Sequence, residues 1–314
     1  MEITKCNLCK CSNSKVLYNL TDLLLERDEV LTTFVQCRRC GLIYQNPRPT
    51  REGIGNHYPP EYDSYNNELD HKDVSWLYNK AFRYGLYKRH HFVTRHRSHG
   101  KLLDIGCATG QFLHAMGRIR GYELTGVEIN DYAAKIAREK YGLDVFTGTL
   151  EQANYPNDCF DVVTLWDVLE HMHDPASSLC EIYRILKPGG CLILRVPNGK
   201  SWDAKLFGKY WFGLDAPRHL YVFTTSTLEA LLRKTGFQAQ EQNTSIGNYT
   251  SIVLNLRFWL VAKGVNQNTR NLILKVISDP ISRMLLAPIF FISGLGLKGS
   301  LLTVAAAKRN DNTC

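Results

Sequence analysis

The run Lys101-Leu102-Leu103-Asp104-Ile105-Gly106-Cys107-Ala108-Thr109-Gly110 constrains this chain more than any other part of it. A short apolar segment ends in an acid and a glycine-rich turn, and apolar periodicity resumes from Gln111 to about Arg120. That order predicts a strand, a tight loop and a helix. Glycines in such a loop let the backbone come close to a ligand lying over the helix N-terminus. A dinucleotide loop needs G-x-G-x-x-G, but Ala108 stands at the second glycine position, Gly106 and Gly110 are four apart, and Asp104 lies two residues before the first. A second apolar run, 124–129, carries Glu128, 22 residues after Gly106, where a carboxylate can accept both hydroxyls of a ribose. An acid at position 104 suits a nucleoside ligand whose other end is cationic, as in S-adenosylmethionine, better than a nicotinamide dinucleotide.

Further strands are expected at 143–147, 160–166, 191–196, 237–243 and 300–307. Between the second and third of these, Asp174-Pro175 offers an N-cap and an N1 proline for a helix that stops at Lys187-Pro188-Gly189-Gly190. The fold class is α/β, a Rossmann-like doubly wound seven-stranded sheet, with the main domain at 74–314 and a helical insert, 246–298, before the last strand. A chain of 314 residues, 44% of them hydrophobic, can bury that core and still spare residues for a small accessory unit.

That unit is expected at 1–60. Cys6 and Cys9, then Cys37 and Cys40, form two Cys-x-x-Cys pairs separated by 27 residues. Four soft sulfurs at this spacing favour tetrahedral, structural zinc, with Cys11 as a substitute for Cys9. The other cysteines are scattered through apolar segments, so reduced thiols are expected rather than a disulfide framework. The Tyr/Pro-rich stretch 58–65 reads as an extended linker. There is no secretory leader and no apolar run of about 18 residues, which together predict a cytoplasmic protein.

The net charge of +8 is concentrated, because no acid occurs between Asp73 and Asp104. Arg83, Lys88, Arg89, Arg95 and Arg97 there alternate with tyrosines and histidines. The stretch is either a positive helix over an anionic ligand or a solvated face packed by its aromatics, and the second reading is preferred.

Four stretches resemble the class I methyltransferases, in particular the branch of the ubiquinone-type O-methyltransferases and their zinc-knuckle relatives in sugar and polysaccharide pathways. They are Leu103 through Gly110, Phe160-Asp161-Val162-Val163 through Asp167-Val168-Leu169-Glu170-His171, Leu186-Lys187-Pro188-Gly189-Gly190, and Pro217-Arg218-His219-Leu220. The resemblance covers residues 100–240 and extends to the knuckle. It implies S-adenosylmethionine as cofactor, with Asp104, Gly106, Cys107 and Gly110 around the methionine part and Glu128 and Ile129 at the ribose and adenine. Thr149, Leu150 and Asp167 would form the adenine edge and the floor. Cys107 departs from the glycine or alanine-like residues of many relatives, by a side chain small enough to be tolerated. Some relatives bind a divalent ion through acid-x-x-Glu-His, which Asp167, Glu170 and His171 match, although a hard cation wants more oxygens.

Methyl transfer needs an in-line approach and a deprotonated nucleophile, so the acid-base group must sit at the carboxyl ends of the strands. His171 and His219 are the two candidates. The insert 246–298 is rich in Leu, Ile and Phe, with Asp279 as its one acid, and reads as a plain helical cover on the core, a lid, an interfacial helix or a dimer contact. The expected acceptor is a hydroxyl of a small molecule or saccharide, nucleotide- or lipid-linked, with a peripheral contact at the inner membrane face. The oligomeric state is left open. Two other readings compete: an RNA methyltransferase gripping phosphates through Arg89, Arg95 and Arg97, against which the modest charge and greasy insert argue, and a non-catalytic module that keeps the cofactor fold.

Overall fold

In a computed structural model, residues 1–58, 76–245, 248–279 and 295–309 are described, with the single positions 282, 285, 286 and 288. Most of the expected linker, and most of the apolar run 284–297, therefore lie outside the described residues. In chain order the elements are β1 (Ser14–Asp22), β2 (Arg27–Cys37), β3 (Ile43–Gln45), α1 (Trp76–His96), β4 (Gly100–Ile105), α2 (Gln111–Met116), β5 (Tyr122–Glu128), α3 (Asp131–Tyr141), β6 (Asp144–Thr147) and α4 (Leu150–Ala153). There follow β7 (Phe160–Trp166), α5 (Pro175–Ile185), β8 (Leu186–Pro197), α6 (Trp202–Phe207), β9 (Tyr221–Val222), α7 (Thr225–Lys234), β10 (Phe237–Asn243), α8 (Asn248–Ala262), α9 (Gln267–Ser278) and β11 (Leu301–Lys308).

The main sheet has the order β10-β11-β8-β7-β4-β5-β6. The five strands from β8 to β6 run parallel, and β11 is antiparallel to both of its neighbours. Helices cover both faces, so the central strands are apolar nearly throughout, as in β7 with Val162, Val163 and Leu165 fully buried. The order reverses between β4 and β7, and a ligand crevice opens at the carboxyl ends of strands at such a point.

Local signals place the helices. Asn130 caps α3 through Ala133 N–H, and Gly142 ends it in the left-handed region at φ 63°. Asp174 caps α5 with Pro175 in its first turn, as its sequence predicts. The helix expected over 111–120 stops at Met116, where Gly117 accepts the end of the helix and a turn leads into β5. Eight thiols are free, but Cys180 is disulfide-bonded, a departure from reduced thiols throughout.

The N-terminal strands form a second sheet, β1-β2-β3-β9, whose last strand comes from the main domain. Leu8, Val35, Leu42 and Tyr44 share one buried cluster with Leu165, Leu179 and Leu220. Each such side chain contributes roughly 1.5–3 kcal/mol on full burial. Polar bonds fix the register of the joint: Gln45 Nε2 donates to the carbonyls of Pro217 (2.9 Å) and His219 (2.7 Å), and Arg48 Nη1 donates to His173 O (2.6 Å). The small unit thus holds the segment that carries His219.

In the insert, α8 packs on α6: Asn255 donates to Asp203 Oδ2 (2.9 Å) and accepts from Phe212 N–H (2.6 Å). No residue of α9 is buried, and Leu272 and Val276 are 63% and 57% exposed.

Candidate active site

The loop after β4 carries three positive φ angles, at Gly106 (68°), Ala108 (48°) and Gly110 (78°). A Cβ at Gly106 would lie 2.6 Å from Val168 Cγ2, and one at Gly110 2.5 Å from Leu143 Cδ1, so both positions require glycine. The Glu128 carboxylate accepts the N–H groups of Ala108 and Asn130, both at 2.8 Å, and so ties this loop to the end of β5. Each oxygen keeps a further lone pair. Cys107 is buried with its sulfur over Gly126, where a Cβ would come within 2.7 Å of it, so the thiol fills room that the glycine leaves.

Asp104 is buried and accepts from Thr164 Oγ1 (2.6 Å). Burial pushes its carboxyl up to about 7, against the pull of that hydrogen bond and of Arg89. A cationic ligand beside it favours the ionised form, so binding below this value must expel a proton. The affinity for S-adenosylhomocysteine is therefore expected to rise roughly tenfold per pH unit up to about 7 and then level off. Asp104→Asn is expected to flatten the profile. Calorimetry in buffers of different ionisation enthalpy reads the released proton directly, and a flat wild-type profile would place Asp104 away from the ligand.

The other expected contacts divide. Ile129 is 69% exposed just beyond β5. Thr149 Oγ1 accepts from Gln152 N–H in a capping box and keeps its own proton to donate, and Leu150 is buried in the core. Asp167 is held by Arg195, bidentate, with the Nε bond at 2.9 Å. Burial alone would raise its carboxyl, but the Arg195 charge and hydrogen bonds keep it below the usual range.

Four further residues complete the crevice, and two of them, Trp166 and Arg195, were not singled out in the sequence. Arg89 on α1 turns inward over the Trp166 ring at 5.2 Å, and Arg195 lies over the same ring at 5.7 Å. Burial, then the charge of Arg195, lowers the Arg89 guanidinium to about 9. Leu86 and Val93 are the buried residues three before and four after it, a spacing that places Arg89 on the inward stripe of the helix. The fourth is Glu170, whose two carboxylate oxygens are buried with no hydrogen-bond partner among the described residues. Burial, then the Asp167 charge, pushes its carboxyl well above the usual range.

His171 and His219 come together after β7, their rings 4.6 Å apart and edge-on. His219 Nδ1 is 3.0 Å from Gly213 O, which only accepts, so Nδ1 carries the proton and Nε2 the lone pair. His171 Nδ1 is engaged by the Tyr58 hydroxyl (2.8 Å) and Arg218 O (3.1 Å). Burial, then the neighbouring His219, pushes His171 down to about 3; burial lowers His219 as well. Ligand atoms of Glu170, His171 and His219 lie within 4.8 Å of one another. Two nitrogens and one oxygen suit a borderline divalent metal, whereas Asp167, the first acid of the sequence pattern, is taken by Arg195.

In the N-terminal unit the sulfurs of Cys6, Cys9, Cys37 and Cys40 all lie within 4.8 Å of one another, with Cys6 to Cys40 at 3.4 Å and Cys9 to Cys37 at 3.5 Å. This convergence is compatible with tetrahedral zinc. Cys11 lies apart, its sulfur 3.4 Å from Asn13 N.

The methyltransferase domain family of type 23 matches residues 78–242, and this chain belongs to it. It is an S-adenosylmethionine-dependent methyltransferase resembling the ubiquinone O-methyltransferases. The ubiquinone biosynthesis O-methyltransferase of Psychrobacter arcticus is 32% identical over 54% of this chain and 68% of its own length. A demethylmenaquinone methyltransferase of Chlorobaculum parvum is 32% identical over 31% of this chain and 41% of its own. Among solved structures the cyclase SpnF superposes with a TM-score of 0.54 at 20% identity, covering 83% of this chain and 97% of that one. That likeness concerns the fold alone.

Proposed function

We propose that this enzyme methylates a hydroxyl of a small acceptor, a saccharide carried on a lipid or a nucleotide, with His219 as the proton acceptor. The observation that carries the proposal is an imidazole fixed through Nδ1 on Gly213 O, so that Nε2 holds the lone pair, in a cluster with His171 and with Glu170, whose carboxyl burial pushes well above the usual range. When bound, the cofactor supplies a methyl group on a sulfonium that is already a good leaving group. Asp104, Gly106, Cys107, Gly110, Glu128 and Ile129 would hold it, and Arg89 is the cation available to its carboxylate. What remains for the chain is to place the hydroxyl in line and take its proton. His171, lowered to about 3, is the weaker base and orients the 218–219 segment through Arg218 O.

His219→Asn is expected to lower kcat by about a hundredfold or more, within the 10²–10⁴ range of general-base catalysis, with S-adenosylhomocysteine affinity unchanged. Labelled methyl transfer to nucleotide sugars, lipid-linked glycans and quinols, yielding an alkali-stable ether, tests the acceptor class. Cofactor binding with no turnover on any of these pools would favour the non-catalytic module instead.

We infer further that Cys6, Cys9, Cys37 and Cys40 hold a structural zinc that keeps Gln45 in place under the carbonyls of Pro217 and His219. The peripheral contact is assigned to α9. Its exposed Leu272 and Val276 sit in a stretch, 248–279, with four cations against one acid, which suits an anionic lipid face. No helix among the described residues is long and apolar enough to cross a membrane. The protein is expected to float with vesicles containing phosphatidylglycerol, and Leu272→Asp with Val276→Asp to release it; equal binding to neutral vesicles, or no effect of the pair, would refute the assignment.

A further inference from the structure

A groove of about 420 Å³ lies between α1, α2 and α3, on residues separate from the cofactor loop, Glu128 and Asp167. That volume is of ligand size. Arg83 and Arg118 line it, with His90, His91 and His114, and among the described residues no carboxylate does. Among the described residues, the other arginines and lysines of α1 and the turn after it are engaged. Arg89 lies over Trp166, Arg95 pairs with Glu241, Lys88 donates to Ser245 O (3.3 Å) and Arg97 to Gly189 O (2.5 Å). Arg83 and Arg118, in contrast, have no ion pair or hydrogen bond among the described residues, and His90 Nε2 is buried without a partner. Two unneutralised guanidinium groups at one cavity repel each other until an anion joins them.

The rest of the wall combines Leu86, Thr94, Ala115 and Ile119 with flat rings. Tyr87 stacks on His91 (centroids 6.1 Å apart, 15° between planes), and His114 stacks on Tyr141 (4.5 Å, 30°). Paired rings next to an arginine fork bind a planar base attached to phosphate, and the groove is larger than a bare phosphate needs.

We propose that this groove is a second binding site, distinct from the cofactor crevice, for a nucleoside diphosphate held by Arg83 and Arg118 and by the two stacked ring pairs. It is coupled to the crevice by contact, since His90 touches Phe112 (5.6 Å) and Phe112 touches Trp166 (5.3 Å).

The test is calorimetric titration of the full chain, saturated with S-adenosylhomocysteine, with UDP, ADP and inorganic phosphate in turn. At least one nucleotide is expected to bind at one per chain, with inorganic phosphate at least tenfold weaker. Arg83 and Arg118 are exposed, so Arg83→Gln and Arg118→Gln are expected to fold normally. Each should weaken the nucleotide at least tenfold and leave S-adenosylhomocysteine affinity unchanged. Four results overturn the proposal: no nucleotide binding, a nucleotide displaced by S-adenosylhomocysteine, phosphate as tight as the nucleotide, or a nucleotide indifferent to both variants. Binding of a single-stranded RNA oligonucleotide without either nucleotide would also overturn it, in favour of a polymer.

Discussion

Gly106→Arg is expected to abolish S-adenosylhomocysteine binding, by more than about a hundredfold or roughly 2.8 kcal/mol, in a protein that still carries about one zinc per chain. Gly106 has φ 68°, where an L side chain is strained, and any Cβ there meets Val168. Val168 follows Asp167, itself at φ 60° and locked to Arg195, so the neighbour has little freedom to retreat. The longer side chain then projects over the loop that Glu128 ties down. Gly106→Ala is expected to show a smaller loss from strain alone. The four thiols belong to the other sheet, so the metal content reports folding independently. Retained affinity would move the cofactor elsewhere, and a folded, metal-free protein would remove the zinc.

Arg218→Ala is expected to destabilise the protein by about 3–5 kcal/mol, the usual cost of stranding buried charge. Arg218 is fully buried between two carboxylates, bonding Asp22 (2.7 and 2.9 Å) and Asp215 (2.6 and 3.0 Å). Burial would raise the Asp22 carboxyl, but the Arg218 fork, followed by Arg27, holds it below the usual range. Without Arg218 both acids keep their desolvation cost, Asp215 loses its guanidinium partner and Asp22 keeps only the guanidinium of Arg27. Asp22 ends β1 and Asp215 precedes His219, so the same change loosens the joint between the two sheets. Urea denaturation reads the loss, and adding Asp22→Asn should restore part of it by removing one stranded charge. A loss below about 1 kcal/mol would mean that water replaces the guanidinium.

Much of the main sheet is legible in the sequence because its signals are local. The ends of β7 and β10 agree with the expected ranges to the residue, and the Asp174-Pro175 start of α5 is written in two adjacent side chains. The glycine loop is equally local, since positive φ and close approach demand the residue type whatever surrounds it. Thr149 and Asp167 show the opposite case. Both occupy the positions expected from resemblance, yet their side-chain oxygens accept from Gln152 and Arg195, partners that periodicity does not reveal.

What the sequence by itself determined is the order of strands and helices, the glycine loop, the paired cysteines and the two histidines, all of them matters of residue type and spacing. Only the tertiary structure decided that Arg89 enters the crevice and that both Glu170 carboxylate oxygens are buried with no partner among the described residues. It also decided that β9 completes the N-terminal sheet. The reason is that charge state and partner depend on desolvation and on groups far along the chain, as with Asp22 and Arg218, 196 residues apart. Distances of that kind are set when the layers close, and no local pattern encodes them.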